Sequence, residues 1–227
     1  MEKEFQKTVL HRVTDPQVRY FWEVEYPSMN YKNAIDGVAP IANKLGAFLA
    51  HPLVRKAMCE PVEPIRFRRL MDEGGILIVN LAKGAMGGDI SNVLGGLIVS
   101  SILNAAFSRQ ATLEGERRPF MLYVDESHSF TTTAFAGMLS EVRKYGVGVT
   151  LAHQHIVQAD RNVFEAIMGN VGSMLAFRVG ALDAPTVAQQ MQGVQISDFI
   201  NQPNFRAYAQ IMINGEKFKP FSMTTRP

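Results

Sequence analysis

Two adjacent carboxylates, Asp125 and Glu126, follow the apolar and aromatic run Phe120-Met121-Leu122-Tyr123-Val124. Such a run reads as a strand buried on both faces, which would carry the acidic pair to the end of a sheet. Open α/β sheets hold their ligands at that end. An aspartate placed there can hold Mg²⁺ through water, and a glutamate after it can polarise a water for attack on a phosphoryl group. The same residues also fit a core strand ending in a solvated turn, so the pair alone leaves both readings open.

A second polar group stands downstream. Residues 147–152 form another β-rich run, which ends at His153-Gln154-His155. If the two runs are neighbours in a parallel sheet, their C-terminal ends open on one crevice and Gln154 sits beside Asp125 and Glu126. His153 and His155 alternate onto one side of a strand and with His128 would make three zinc ligands; a His pair at a strand end is more often a polar rim. The residues Asp125-Glu126-Ser127-His128 also fit the Asp-Glu-x-His box of two-lobed helicases. Those need a Gly-Lys-Thr loop and an arginine-rich motif, and the sequence has neither. There is no Gly-x-Ser-x-Gly elbow for a hydrolase nucleophile. The glycine loop Lys83-Gly84-Ala85-Met86-Gly87-Gly88 suggests a phosphate cradle, but a P-loop needs Gly-Lys-Ser/Thr at its helix start, and no Gly-Lys pair occurs.

The elements that must position these residues begin with helices. Up to about Leu70 the apolar spacing is helical, with Asp15-Pro16 as a cap and first turn and a longer helix over 34–49. At Gly74-Gly75 the texture changes. Residues 76–81 read as a buried parallel strand, and a helix follows to about Arg109. The spacing predicts a parallel sheet of 76–81, 120–125, 147–152 and 174–179, with Asp183 capping a later helix. Asn214-Gly215 between alternating segments predicts a terminal β-hairpin. The expected class is α/β, with a helical subdomain over 1–71 and the sheet domain over 72–227.

Composition narrows the field. In 227 residues, a formal charge of +2 is too small to argue for nucleic acid by itself, although Arg66, Arg68 and Arg69 and the pair Arg117-Arg118 form basic clusters. The single cysteine, Cys59, excludes an internal disulfide and a cysteine-rich metal site, and fits a reducing compartment. The N-terminus lacks a signal peptide's apolar core. No segment reads as apolar for long enough to span a bilayer; the nearest, 93–103, suits a helix packed on a sheet. The expected location is the cytoplasm.

Taken in order, 75–81, the Val-Asp-Glu-Ser-His strand end, Arg143-Lys144-Tyr145-Gly146, Ala152-His153-Gln154, Asn170-Val171-Gly172 and Phe177-Arg178-Val179-Gly180 resemble the C-terminal half of the HerA–FtsK superfamily. Within it the chain looks most like the conjugative and type IV secretion ATPases, and its opening helices are similar to the insertion those proteins carry. The resemblance implies a RecA-like, mostly parallel sheet flanked by helices, with ATP and Mg²⁺ as cofactors. It implies that Asp125 is the Walker B aspartate at the metal, Glu126 the residue that activates water, and Gln154 the sensor of the γ-phosphate. It also implies a ring, usually a hexamer, in which an arginine enters the neighbour's site: Arg143 first, Arg178 second. DNA and the secretion machinery are the implied partners. The family's Walker A lies upstream of the insertion, so the chain is expected to be part of a larger ATPase and to lack turnover alone. A degenerate motor half kept for assembly or DNA docking is the non-enzymatic alternative.

Overall fold

In the computed structural model, which describes residues 2–28, 39–40, 43, 45–46, 48–60, 62–130, 133–156 and 160–226, Phe120–Val124 forms strand β1 and Val147–Leu151 forms β2. The two are parallel, in register from Phe120 opposite Val147 to Val124 opposite Leu151. That register puts Phe120, Leu122 and Val124 on the same face as Val147, Val149 and Leu151. Helix α1 (Phe67–Glu73), helix α2 (Gly88–Phe107) and helix α3 (Thr133–Val142) supply Met71, Val99, Ile102, Leu103, Ala106, Phe135 and Val142 to the core on that face.

The other face differs from the sequence expectation. Met121 and Tyr123 are 52% and 70% exposed, so β1 is buried on one face and open on the other. The described helices cover a single side, and alternation does the rest. The run 76–81, expected as a strand, joins no sheet among the described residues, and its Ile76 and Ile78 lie 88% and 89% exposed. Its β-branched residues favour an extended backbone, but a strand also needs a neighbour's ladder.

Helix α2 corrects a second expectation. With the turn that follows it, the helical run Gly88–Ala111 is 24 residues and is long and apolar enough to cross a membrane by length and composition. It buries Val99, Ile102, Leu103 and Ala106 against the sheet and leaves Val93 and Leu97 exposed. Gly95 is required there: a Cβ at that position would lie 2.2 Å from the Phe130 ring and 2.9 Å from Leu81 Cδ1. Phe130, from the loop after the acidic pair, thereby seats directly on the helix backbone.

Helix α4 (Arg161–Asn170) packs Val163 and Ile167 on Ala136 of α3, and a further group forms around strand β3 (Met174–Ala176), helix α5 (Ala184–Gln190) and helix α6 (Ile196–Ile200). Strand β3 pairs antiparallel with β4 (Arg206–Gln210), which pairs antiparallel with β7 (Phe221–Thr224). The expected place of 174–179 in the parallel sheet is therefore corrected: the ladder covers three residues and runs to the hairpin. Its position is fixed by Ala176, which packs with Ala184, Val187, Met191 and Phe199 in a second core cluster. The hairpin forms as expected. Short strands β5 (Met212–Ile213) and β6 (Glu216–Lys217) flank Asn214-Gly215, both at positive φ (51° and 87°), as a two-residue primed turn requires.

Most of the predicted basic clusters are structural ties. Arg68 pairs with Asp72, and Arg69 with Glu73 at 2.8 Å. Arg118 donates to the Glu73 carbonyl at 2.9 Å. Arg109, fully buried, donates through Nε to Asp72 at 3.0 Å and through one terminal nitrogen to the carbonyls of Arg118 and Tyr145 at 2.9 and 3.1 Å. Those carbonyls precede β1 and β2, so one guanidinium holds together the N-terminal ends of both strands.

The chain divides into two compact units, Met1–Val62 and Glu63–Pro227. The first is helical where described. Asp15 caps Pro16–Tyr20 as expected, accepting from the amides of Gln17 and Val18 at 2.8 and 3.2 Å. The helix predicted over 34–49 lies for the greater part outside the described residues. Helix α1, which the sequence groups with the helical section, belongs to the second unit.

Candidate functional site

The site forms where β1 and β2 end together. The Ala152 amide donates to the Val124 carbonyl at 2.9 Å and the Ser127 amide to the Ala152 carbonyl at 2.9 Å. This lock extends the ladder past the last strand residues and turns both chains at one level. Asp125, exposed, accepts the Glu126 amide at Oδ1 at 2.9 Å, which leaves its second oxygen open to solvent. Glu126 has φ 49°, in the left-handed region that non-glycine residues rarely adopt. Uncommon backbone of this kind concentrates at functional sites, and here it lifts the glutamate out of the strand's alternation.

Around the pair stand groups whose contacts the sequence did not assign. His128 Nδ1 lies 3.4 Å from Glu126 Oε2, a close approach without hydrogen-bond geometry. Ser127, 2% exposed, holds its hydroxyl 3.4 Å from His153 Nδ1. The His153 ring is held below its usual pKa, first by partial desolvation and then by the nearby His128, with Asp183 and Glu126 pulling the other way. Lys83 Nζ donates to Ser129 Oγ at 2.8 Å, bringing the glycine loop after 76–81 to the same edge. No periodicity announces the Ser127–His153 and Lys83–Ser129 contacts, because each joins residues that are distant in sequence.

The predicted residues divide into two sets. Asp125, Glu126 and Gln154 share the C-terminal edge of the parallel pair, as expected, with Gln154 exposed two residues beyond Ala152. Arg143 is also exposed but stands just before β2, at the opposite end, with the length of a five-residue strand, about 16 Å, between it and the acidic edge. Arg178 follows β3 in the antiparallel sheet and is exposed. The three-histidine zinc reading is not realised: among the described residues no group of three or more His, Cys, Asp or Glu is arranged to hold a metal ion.

Asp183 was expected to cap α5, and its side chain does not. It is 4% exposed, and its Oδ2 accepts the Ile156 amide at 3.2 Å and lies 3.9 Å from His155 Nδ1. Chemically, the edge offers an open carboxylate for a hydrated divalent cation, a second carboxylate in a constrained conformation, and a carboxamide beside them. No protein-family model matches the sequence, and no curated protein matches it. Solved structures share its fold, two of them as follows. One is the bacterial conjugative coupling protein TrwBdeltaN70 in an unbound monoclinic form, at a TM-score of 0.65 and 16% identity over 96% of this chain and 58% of that one. The other is a trigonal form of that protein in complex with sulphate, at a TM-score of 0.56 and 15% identity over 96% of this chain and 60% of that one. The chain thus spans 58% and 60% of the length of these two structures.

Proposed function

We propose that this chain supplies the acidic half of the nucleotide site of an ATP-driven ring motor that moves DNA in conjugation or type IV secretion. The observation that carries the reading is the register of β1 with β2, which sets Asp125, Glu126 and Gln154 on one edge. The shared fold with a conjugative coupling protein supports the same reading. Asp125 fits Mg²⁺ held through water, since it is exposed and keeps one oxygen uncommitted. That ion, when bound, neutralises charge on the phosphates. Glu126 orients and polarises the attacking water. Gln154 reads the position of the γ-phosphate from the neighbouring strand.

The residues that grip phosphates are not in this sequence, which has no Gly-Lys pair. The outward amide and carbonyl groups of Val147, Val149 and Leu151 have no backbone partner among the described residues, so the edge of β2 is free to take a further strand. An arginine from a neighbouring subunit completes the site: Arg143, which stands too far from Glu126 to act within its own chain, with Arg178 second. The ring works in the cytoplasm, where ATP is available.

Isolated 1–227 should bind Mg-ATP weakly and turn none over. A ring assembly that contains this chain with a phosphate-gripping loop should hydrolyse ATP. There Glu126→Gln should lower kcat by about 10²–10⁴ with nucleotide affinity retained. Arg143→Ala and Glu126→Gln subunits, each inactive, should regain activity when mixed. Turnover by the isolated chain, or an unchanged rate in the Glu126→Gln assembly, would overturn the assignment.

A further inference from the structure

Asp183 is a buried carboxylate that does less for itself than burial demands. One of its oxygens, Oδ1, is buried with no hydrogen-bond partner, and its side chain forgoes the helix cap its position offers. The helix starts without it, through the Asp183 and Ala184 amides on the Gly180 carbonyl at 3.1 and 3.0 Å. What Oδ2 does instead is reach across 27 residues to the Ile156 amide at 3.2 Å, with His155 Nδ1 at 3.9 Å on the same oxygen. An incompletely partnered buried carboxylate is destabilising, so this arrangement calls for a role other than stability.

The loop it holds is short. Between Ala152, locked to Val124 and Ser127, and Ile156, held by Asp183, stand only His153, Gln154 and His155. His153 faces the Ser127 hydroxyl at 3.4 Å, on the turn of the acidic strand. His155 faces Asp183, at the N-cap position of α5. Gln154 lies between the two tethers.

We propose that Asp183 is a positioning residue for Gln154, its carboxylate fixing the far side of the loop that ends β2. The functional half of this proposal rests on the reading of Gln154 as the γ-phosphate sensor. The tether gives that sensor an output. A shift of Gln154 pulls on Asp183 and hence on α5, whose Ala184 and Val187 pack against Ala176 and Phe199. The Phe199 carbonyl in turn accepts the Val179 amide at 3.2 Å, one residue beyond Arg178. Nucleotide state at the acidic edge is thereby coupled to the turn that carries Arg178.

Amide hydrogen exchange on the 1–227 chain tests the tether without nucleotide. Asp183→Ala should speed exchange at Ile156 by about tenfold or more, with β1 and β2 amides unchanged. Asp183→Asn, whose carboxamide oxygen still accepts the amide, should restore protection to within about threefold. If the alanine variant does not fold, Asp183→Ser supplies a side chain of a helix-capping type that is too short to reach Ile156. Equal Ile156 rates in the wild type and in whichever of these two variants folds would overturn the tether.

In an ATP-hydrolysing assembly, Asp183→Ala should lower kcat as far as Gln154→Ala does, at unchanged KM, and the double variant should fall no further. Additive losses would show that Asp183 does not act through Gln154. If the wild-type assembly hydrolyses no ATP, the reading of the site falls while the exchange rates still decide the tether.

Discussion

Glu126 shows how a single residue carries two opposed demands. Its left-handed backbone is a conformation that costs an ordinary L-residue about 1–2 kcal/mol, and the lock of Ser127 to Ala152 holds it there. Glu126→Gly should relieve this strain and stabilise the second unit by about 1 kcal/mol, read as a higher denaturant midpoint at unchanged m-value. It should also abolish any hydrolysis the assembly has. A lower midpoint would show that the His128 contact contributes more than the strain costs. The acidic pair was legible in sequence because two carboxylates closing an apolar run are unusual. Its conformation was not, because a positive φ at glutamate leaves no compositional trace. Asp183 was legible only as a helix cap, since its true partner lies 27 residues away.

At the scale of elements, the loop that presents Glu126 is seated by α2 through Phe130 on Gly95. Gly95→Ala would drive a methyl to 2.2 Å from the Phe130 ring, so the ring must move and the loop with it. Overpacking of this kind costs about 1–3 kcal/mol. The expected result is a loss in that range by denaturation, recovered in good part by Gly95→Ala with Phe130→Leu, which frees the space; failure of the second change to recover stability would place the strain elsewhere. Helix α2, β1, β2 and the hairpin were all readable from period and turn chemistry. The pairing of the runs 76–81 and 174–179 is not legible, because β-branched composition speaks for an extended backbone while pairing depends on which edge is near. The antiparallel ladder of β3 with β4 is a long-range choice, settled by the packing of Ala176 rather than by any local signal.

At the scale of the molecule, the second unit presents an unfinished sheet. Met121 and Tyr123 on the open face, Ile76 and Ile78 beside the glycine loop, and the free ladder groups of β2 are surfaces that proteins ordinarily cover or blunt. Purified 1–227 should therefore self-associate as its concentration rises, and Met121→Lys with Ile78→Lys should suppress this in sedimentation velocity; a monomer at every concentration would contradict it. The α/β class was legible from the change of texture at Gly74-Gly75, and the open face was not, because a sequence lists what a strand contains and omits what lies over it. That openness has a consequence for the protein's life in a cell. Exposed isoleucine and an unpaired strand edge are surfaces that chaperones and proteases recognise, so a copy left unassembled should be short-lived. Its abundance would then follow that of whatever completes the sheet, and supply would be matched to demand by turnover rather than by synthesis.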